Sequence, residues 1–190
     1  MKSWEQAFKD GLVSGSIASM ASTAVLTMRG VREADTPYGP TNATSQWVYG
    51  EQAAYHDEPS LSHTVIGYGI HHASVTLWAV LYEKWFSEHA DRMDLAGFGK
   101  AVAGGAATAA MACFVDYRMT PRRLRPGFEK RVSRVSLFMT YASFGAGLLV
   151  RGMVKAAASV PRNSSGFQPA RHAGAPEHAA PRTGSATYDR

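Results

Sequence analysis

Four stretches of the chain carry no Asp, Glu, Lys or Arg: 11–28, 60–82, 101–115 and 135–150. The charged residues crowd into the segments between them. A helix on the surface of a water-soluble domain keeps a charged stripe where it meets solvent. Four long stretches without one predict helices that meet lipid instead. They are placed at 9–28, 61–86, 95–117 and 135–153, near the roughly 17–25 residues that cross a bilayer. The expected fold is all-α: a polytopic, four-helix transmembrane bundle over 1–156, followed by a tail at 157–190. That tail turns to Pro, Gly, Ser, Ala, His and Arg, has too little apolar content to fold, and is expected to be disordered.

The four segments differ in kind. The second and fourth are apolar enough to stand alone. The second thickens with Trp78, Tyr82, Trp85 and Phe86, as aromatic residues do at an interface. The first and third are mostly Ala, Gly, Ser and Thr, and the third is the weakest. Their small residues are ordered, however. Gly11, Gly15, Ser19, Thr23 and Thr27 fall four apart, as do Gly97, Ala101, Gly105, Ala109 and Cys113. Such rows form flat faces that let backbones approach closely. The expectation is that Gly11, Gly15 and Ser19 of the first helix meet Gly97, Ala101 and Gly105 of the third.

The connection at 29–60 is punctuated by Pro37, Gly39, Pro40 and Pro59, with one short interfacial helix expected between Thr41 and Ala54. The loop at 118–134 holds seven Lys and Arg residues. That density places it in the cytoplasm and the termini outside. The first uncharged stretch runs for 18 residues, longer than the roughly 7–15 apolar residues of a cleavable signal, and is read as a retained span.

The mean hydropathy of −0.19 resembles that of a soluble protein, but it averages two populations of segments. A net charge of +5 suggests nucleic-acid binding in isolation. The basic residues flank the apolar segments, so the expected partner is the lipid bilayer, with no nucleic acid. The single cysteine, Cys113, excludes an internal disulfide and a Cys-rich metal site.

Ionisable groups within a bilayer are costly unless paired, and so are candidates for function. Here they are His63, His71 and His72 on the second segment, Glu83 at its end and Asp116 at the end of the third. His72 and Glu83 lie eleven residues apart, nearly on one helix face. Three readings follow. His71 or His72 can ligate haem or a metal, but no other span supplies a second histidine, so no cofactor and no metal site is expected. His72, Glu83 and Asp116 can form a proton or ion path. Or the histidines bond to Ser, Thr or backbone groups of neighbouring helices, while Glu83 and Asp116 reach the interface and pair with the basic loop. No nucleophile elbow, Walker loop, CxxC pair or HExxH is present, and no catalytic residue or enzymatic activity is expected.

Two stretches carry a resemblance. Ile70-His71-His72-Ala73-Ser74 is followed by Trp78-Ala79 and Glu83; Val115-Asp116-Tyr117 is followed by Pro121-Arg122-Arg123-Leu124 and Pro126-Gly127-Phe128-Glu129. Together they resemble a family of uncharacterised multi-pass inner-membrane proteins of proteobacteria, over about residues 10–150. The resemblance implies an inner-membrane location and no known activity. Asn42-Ala43-Thr44 matches a glycosylation sequon, which is discounted in a bacterial protein. The reading is a structural or accessory membrane protein, alone, as a homo-oligomer or in a larger membrane complex. The alternative is a small transporter using His72, Glu83 and Asp116.

Overall fold

Ser3 starts the first helix: its hydroxyl accepts from the Gln6 amide at 3.1 Å, and Glu5 follows in the first turn. Both features favour a helix N-terminus. Helix α1, Trp4–Glu33, then runs for 30 residues, about 45 Å at 1.5 Å per residue. Ser14, Ser16 and Ser22 donate to the carbonyls of Asp10, Leu12 and Ala18. These three serine hydroxyls are thereby satisfied without water.

The computed structural model describes residues 1–87 and 95–159, which are helical throughout their ordered elements, with no strand among them. After α1 come two short helices, α2 (Gly39–Ala43) and α3 (Gln46–Tyr49). A wide π-helical turn, Leu61–Val65, leads into α4, Ile66–Trp85. Helix α5, Leu95–Phe114, continues through a second π turn, Val115–Met119, and stops before Pro121, which cannot donate to a helix. Helix α6 is Arg134–Ser159.

Three of these stretches, Trp4–Glu33, Leu95–Met119 and Arg134–Ala158, are long and apolar enough to cross a membrane. The helix at the second expected span is not among them. This reverses the expected ranking, in which the second segment stood alone and the third was weakest. The reason is compositional. Helix α4 places Tyr68, His71 and His72 where the others have aliphatic or small residues, and it ends in Glu83 and Lys84. The fourth helix also corrects the tail, since α6 runs to Ser159. The rest of the expected tail, 160–190, lies outside the described residues.

Packing corrects the expected helix partners. Helix α1 lies between α4 and α6, and α5 packs on α6. A Cβ added at Gly11 would lie 2.6 Å from Val80 Cγ2, and one at Gly15 would lie 2.8 Å from Thr76 Cα, so this row meets α4. Ser19 continues the same face. Gly105 abuts the carbonyl of Gly145 on α6, 2.8 Å from a would-be Cβ. Gly97 and Ala101 of α5 are buried as well. The two small-residue faces therefore do not meet each other. Both allow close backbone approach, but four-residue spacing does not specify which neighbour approaches.

Among the described residues, the interior mixes polar and apolar side chains, while large apolar side chains lie outside. Ser14, Ser19, Ser22, Thr108, Ser136 and Thr140 are buried. Phe138 is 74% exposed, Leu77 62% and Phe8 56%. The apolar interior forms two clusters, one of Ala18, Val75, Ala79, Tyr82, Ala109, Ala112, Phe144 and Leu148 and one of Leu26, Phe128 and Val132.

The two longer connections fold together into a cap at one end of the bundle. Asn42, fully buried, donates to the carbonyls of His56 (2.9 Å) and Glu58 (3.0 Å) and accepts from Thr64 (2.7 Å). Its amide is thus engaged in folding rather than available as a sequon. Gln46 and Trp47 both donate to the carbonyl of Arg125, at 2.7 and 3.0 Å, and Lys130 donates to Gln46. Arg131 pairs with Asp57. Gly127 adopts φ +89°, and a Cβ there would lie 2.5 Å from the carbonyl of Ala43. The single interfacial helix expected between Thr41 and Ala54 is instead α2, α3 and a 3₁₀ turn at Glu51–Tyr55, held within this cap.

Candidate functional site

The polar candidates divide among four places. Glu83 sits at the end of the bundle away from the cap, 1% exposed, in a cluster of four charges. Lys2 Nζ lies 2.7 Å from Glu83 Oε2 and 2.7 Å from Asp10 Oδ2. Arg151 pairs with Asp10 and lies 3.8 Å from Glu83. Two cations and two carboxylates leave the cluster formally neutral, the condition under which buried charge is tolerated. Glu83 thus does not reach towards the basic 118–134 loop. It ties the start of α1 to the ends of α4 and α6.

His72 and His71 face the same neighbour. His72 Nδ1 is 2.8 Å from Ser19 Oγ and His71 Nε2 is 2.9 Å from Ser22 Oγ, both serines on α1. Ser22 has one hydroxyl proton, and its Oγ lies 2.9 Å from the carbonyl of Ala18. With that proton on the carbonyl, His71 Nε2–H donates to Ser22. Nδ1 of the neutral ring is then a lone-pair acceptor, with no protein donor among the described residues. His63 belongs to the cap: it stacks on His56 at 4.0 Å, lies 5.1 Å from the Tyr49 ring, and its Nδ1 is 3.2 Å from Ser60 Oγ.

Asp116 accepts a 2.6 Å hydrogen bond from the hydroxyl of Tyr141 on α6. Asp116 and His71 line one partly open cavity of about 50 Å³ beneath the cap. Ser22, Thr44, Ser74 and Thr140 add hydroxyls to its wall, and Trp47, Trp78, Phe128, Tyr141 and Phe144 add aromatic rings. His72 and Glu83 are not among its lining residues. The structure therefore brings together one histidine and one carboxylate of the expected set, and not His72, Glu83 and Asp116. Among the described residues, no three His, Cys, Asp or Glu side chains come together in a way that could hold a metal.

Sequence reasoning missed Lys2 and Arg151 as partners of Glu83, with Asp10 as the second carboxylate they share, and Thr44, Trp47 and Tyr141 as cavity residues. Tyr141 carried a signal, being a polar-tipped ring inside an uncharged stretch. Trp47 and Thr44 carried none, since both come from a connection expected to lie outside the bundle. Comparison with protein-family models, curated proteins and solved structures finds no match to this chain.

Proposed function

We propose that this chain is a four-span protein of a bacterial inner membrane with a structural or accessory role, its bundle an adaptor rather than a conduit. One observation carries this reading: the interior polar groups that link the helices are engaged with one another, while the outward surface is apolar. Lys2, Asp10, Glu83 and Arg151 close one end by ion pairs. His71 and His72 bond to serines of α1, and Asn42 and Gln46 hold the cap at the other end. In lipid, such interhelical bonds replace the hydrophobic drive that is missing between helices. Helix α4 completes the fourth crossing. Its polar ring nitrogens face α1, and Leu77 and Trp85 face outward. The bilayer is the chain's constant partner, and a homo-oligomer or a larger membrane complex is the setting for an accessory role.

The separation of His72, Glu83 and Asp116 weighs against a proton path through them. Proteoliposomes with an internal pH dye give the test. Under an imposed potential, the purified protein is expected to acidify or alkalinise the lumen no faster than empty vesicles. A flux above that background, lost in Glu83→Gln, would overturn the structural role in favour of transport.

A further inference from the structure

We infer that the cavity beneath the cap is a binding site for a small ammonium-type cation, ammonium itself or a primary methylammonium, held by Asp116. This goes beyond the accessory role and does not depend on it. Four observations converge.

First, the cavity wall carries one carboxylate and no ammonium or guanidinium group. Among the described residues Asp116 makes no ion pair; its one hydrogen bond comes from the neutral hydroxyl of Tyr141. Asp116 is half-buried, and a carboxylate partly withdrawn from bulk water is stabilised by a counter-charge. Glu83 has two such partners, so the fold supplies counter-cations where it needs them. It supplies none here.

Second, the wall presents acceptors. Thr44 is 3% exposed, lines the cavity and has a buried hydroxyl with no hydrogen-bond partner. An unmet buried hydroxyl is costly. His71 offers Nδ1 as an acceptor once Nε2–H is engaged with Ser22. All three groups line the same cavity, and N–H donors are what each of them accepts.

Third, five aromatic rings share the wall with hydroxyl and aliphatic groups. Trp47 and Trp78 enter from the cap and from α4. Indole attracts a desolvated cation more strongly than the other aromatic rings do.

Fourth, size sets the class. A cavity of about 50 Å³ is far below the ~150 Å³ that accepts a benzene ring. That space suits a ligand of one or two heavy atoms better than a quaternary ammonium.

The experiment is calorimetric titration of the full chain in detergent, in a buffer whose only cation is N-methylglucamine. Ammonium, methylammonium, potassium and tetramethylammonium chlorides serve as probes. Saturable binding is expected for the first two. Potassium, which has no N–H donors, is expected to bind at least tenfold more weakly, and tetramethylammonium not at all. Asp116→Asn should weaken methylammonium binding at least tenfold, with helicity checked by circular dichroism. Thr44→Val, which keeps the shape and removes the acceptor, should weaken it several-fold. If Asp116→Asn does not fold, Thr44→Val and Trp78→Phe decide. Unchanged affinity in both would overturn the site. Absence of saturable binding by the wild type would mean the cavity holds water only. Equal affinity for potassium would overturn the ammonium class.

Discussion

Gly15 and Gly69 are both helical glycines, but the structure assigns opposite consequences to alanine at each. At Gly15 the new Cβ would lie 2.8 Å from both Cα and Oγ1 of Thr76 on α4, well inside the roughly 3.5–4.0 Å optimum for such contacts. One of those atoms is backbone, so the two helices must separate. Overpacking of this kind costs about 1–3 kcal/mol. Alanine recovers up to about 1 kcal/mol of helix propensity, leaving a net loss of about 0–3 kcal/mol. At Gly69 nothing lies within 4 Å of the added methyl. Only the propensity gain of up to about 1 kcal/mol remains there. The two variants should thus differ by about 1–3 kcal/mol, or roughly 2–12 °C in Tm for a chain of this size. Thermal unfolding in detergent, followed by far-UV circular dichroism, reads the difference. Equal midpoints, or a Gly15→Ala midpoint above that of Gly69→Ala, would refute the close α1–α4 contact.

Further outcomes follow from the same contacts. Gly15→Ala and Gly105→Ala act at different interfaces, α1–α4 and α5–α6. Their effects should add within about 0.3–0.5 kcal/mol in the double variant, whereas a shared interface would make them non-additive. Glu83→Ala strands Lys2 and Arg151 near a single carboxylate, Asp10, and should cost about 3–5 kcal/mol by thermal or denaturant unfolding. The double variant Lys2→Ala, Glu83→Ala should lose less than the sum of the single losses. Asn42→Ala removes three hydrogen bonds at a fully buried side chain, at roughly 1–3 kcal/mol for each group left unmet. It should open the cap to chymotrypsin at Tyr49 and Tyr55, with the bundle's helicity retained.

The helices were legible in the sequence because a bilayer tolerates charge poorly, so uncharged stretches mark them. The ends were legible less well. Helix α1 extends five residues past Met28: Arg29 pairs with Glu33 one turn on, and Glu33 accepts from the Ser133 amide at 2.6 Å, a contact that needs the folded chain. Partner choice was not legible either. The Gly11-Gly15-Ser19 row signals close approach but suits any backbone, and the selection of α4 rests on Ser19–His72 and Ser22–His71. Of the candidate site, His71 and Asp116 stood out as polar groups in apolar stretches. Their meeting with Trp47 depends on the bond from Trp47 to the Arg125 carbonyl, a contact between residues 78 apart in the chain. No local pattern encodes a contact of that separation.

The four-span bundle is tested most directly by cysteine accessibility in sealed inner-membrane vesicles, with Cys113 replaced by Ala. Single cysteines are placed at Glu5, Glu51, Leu95 and Arg123, and labelled with an impermeant maleimide. If α4 crosses, positions 5 and 95 label from one side of the membrane and positions 51 and 123 from the other. If positions 51 and 95 label from the same side, α4 does not cross and the four-span bundle is wrong.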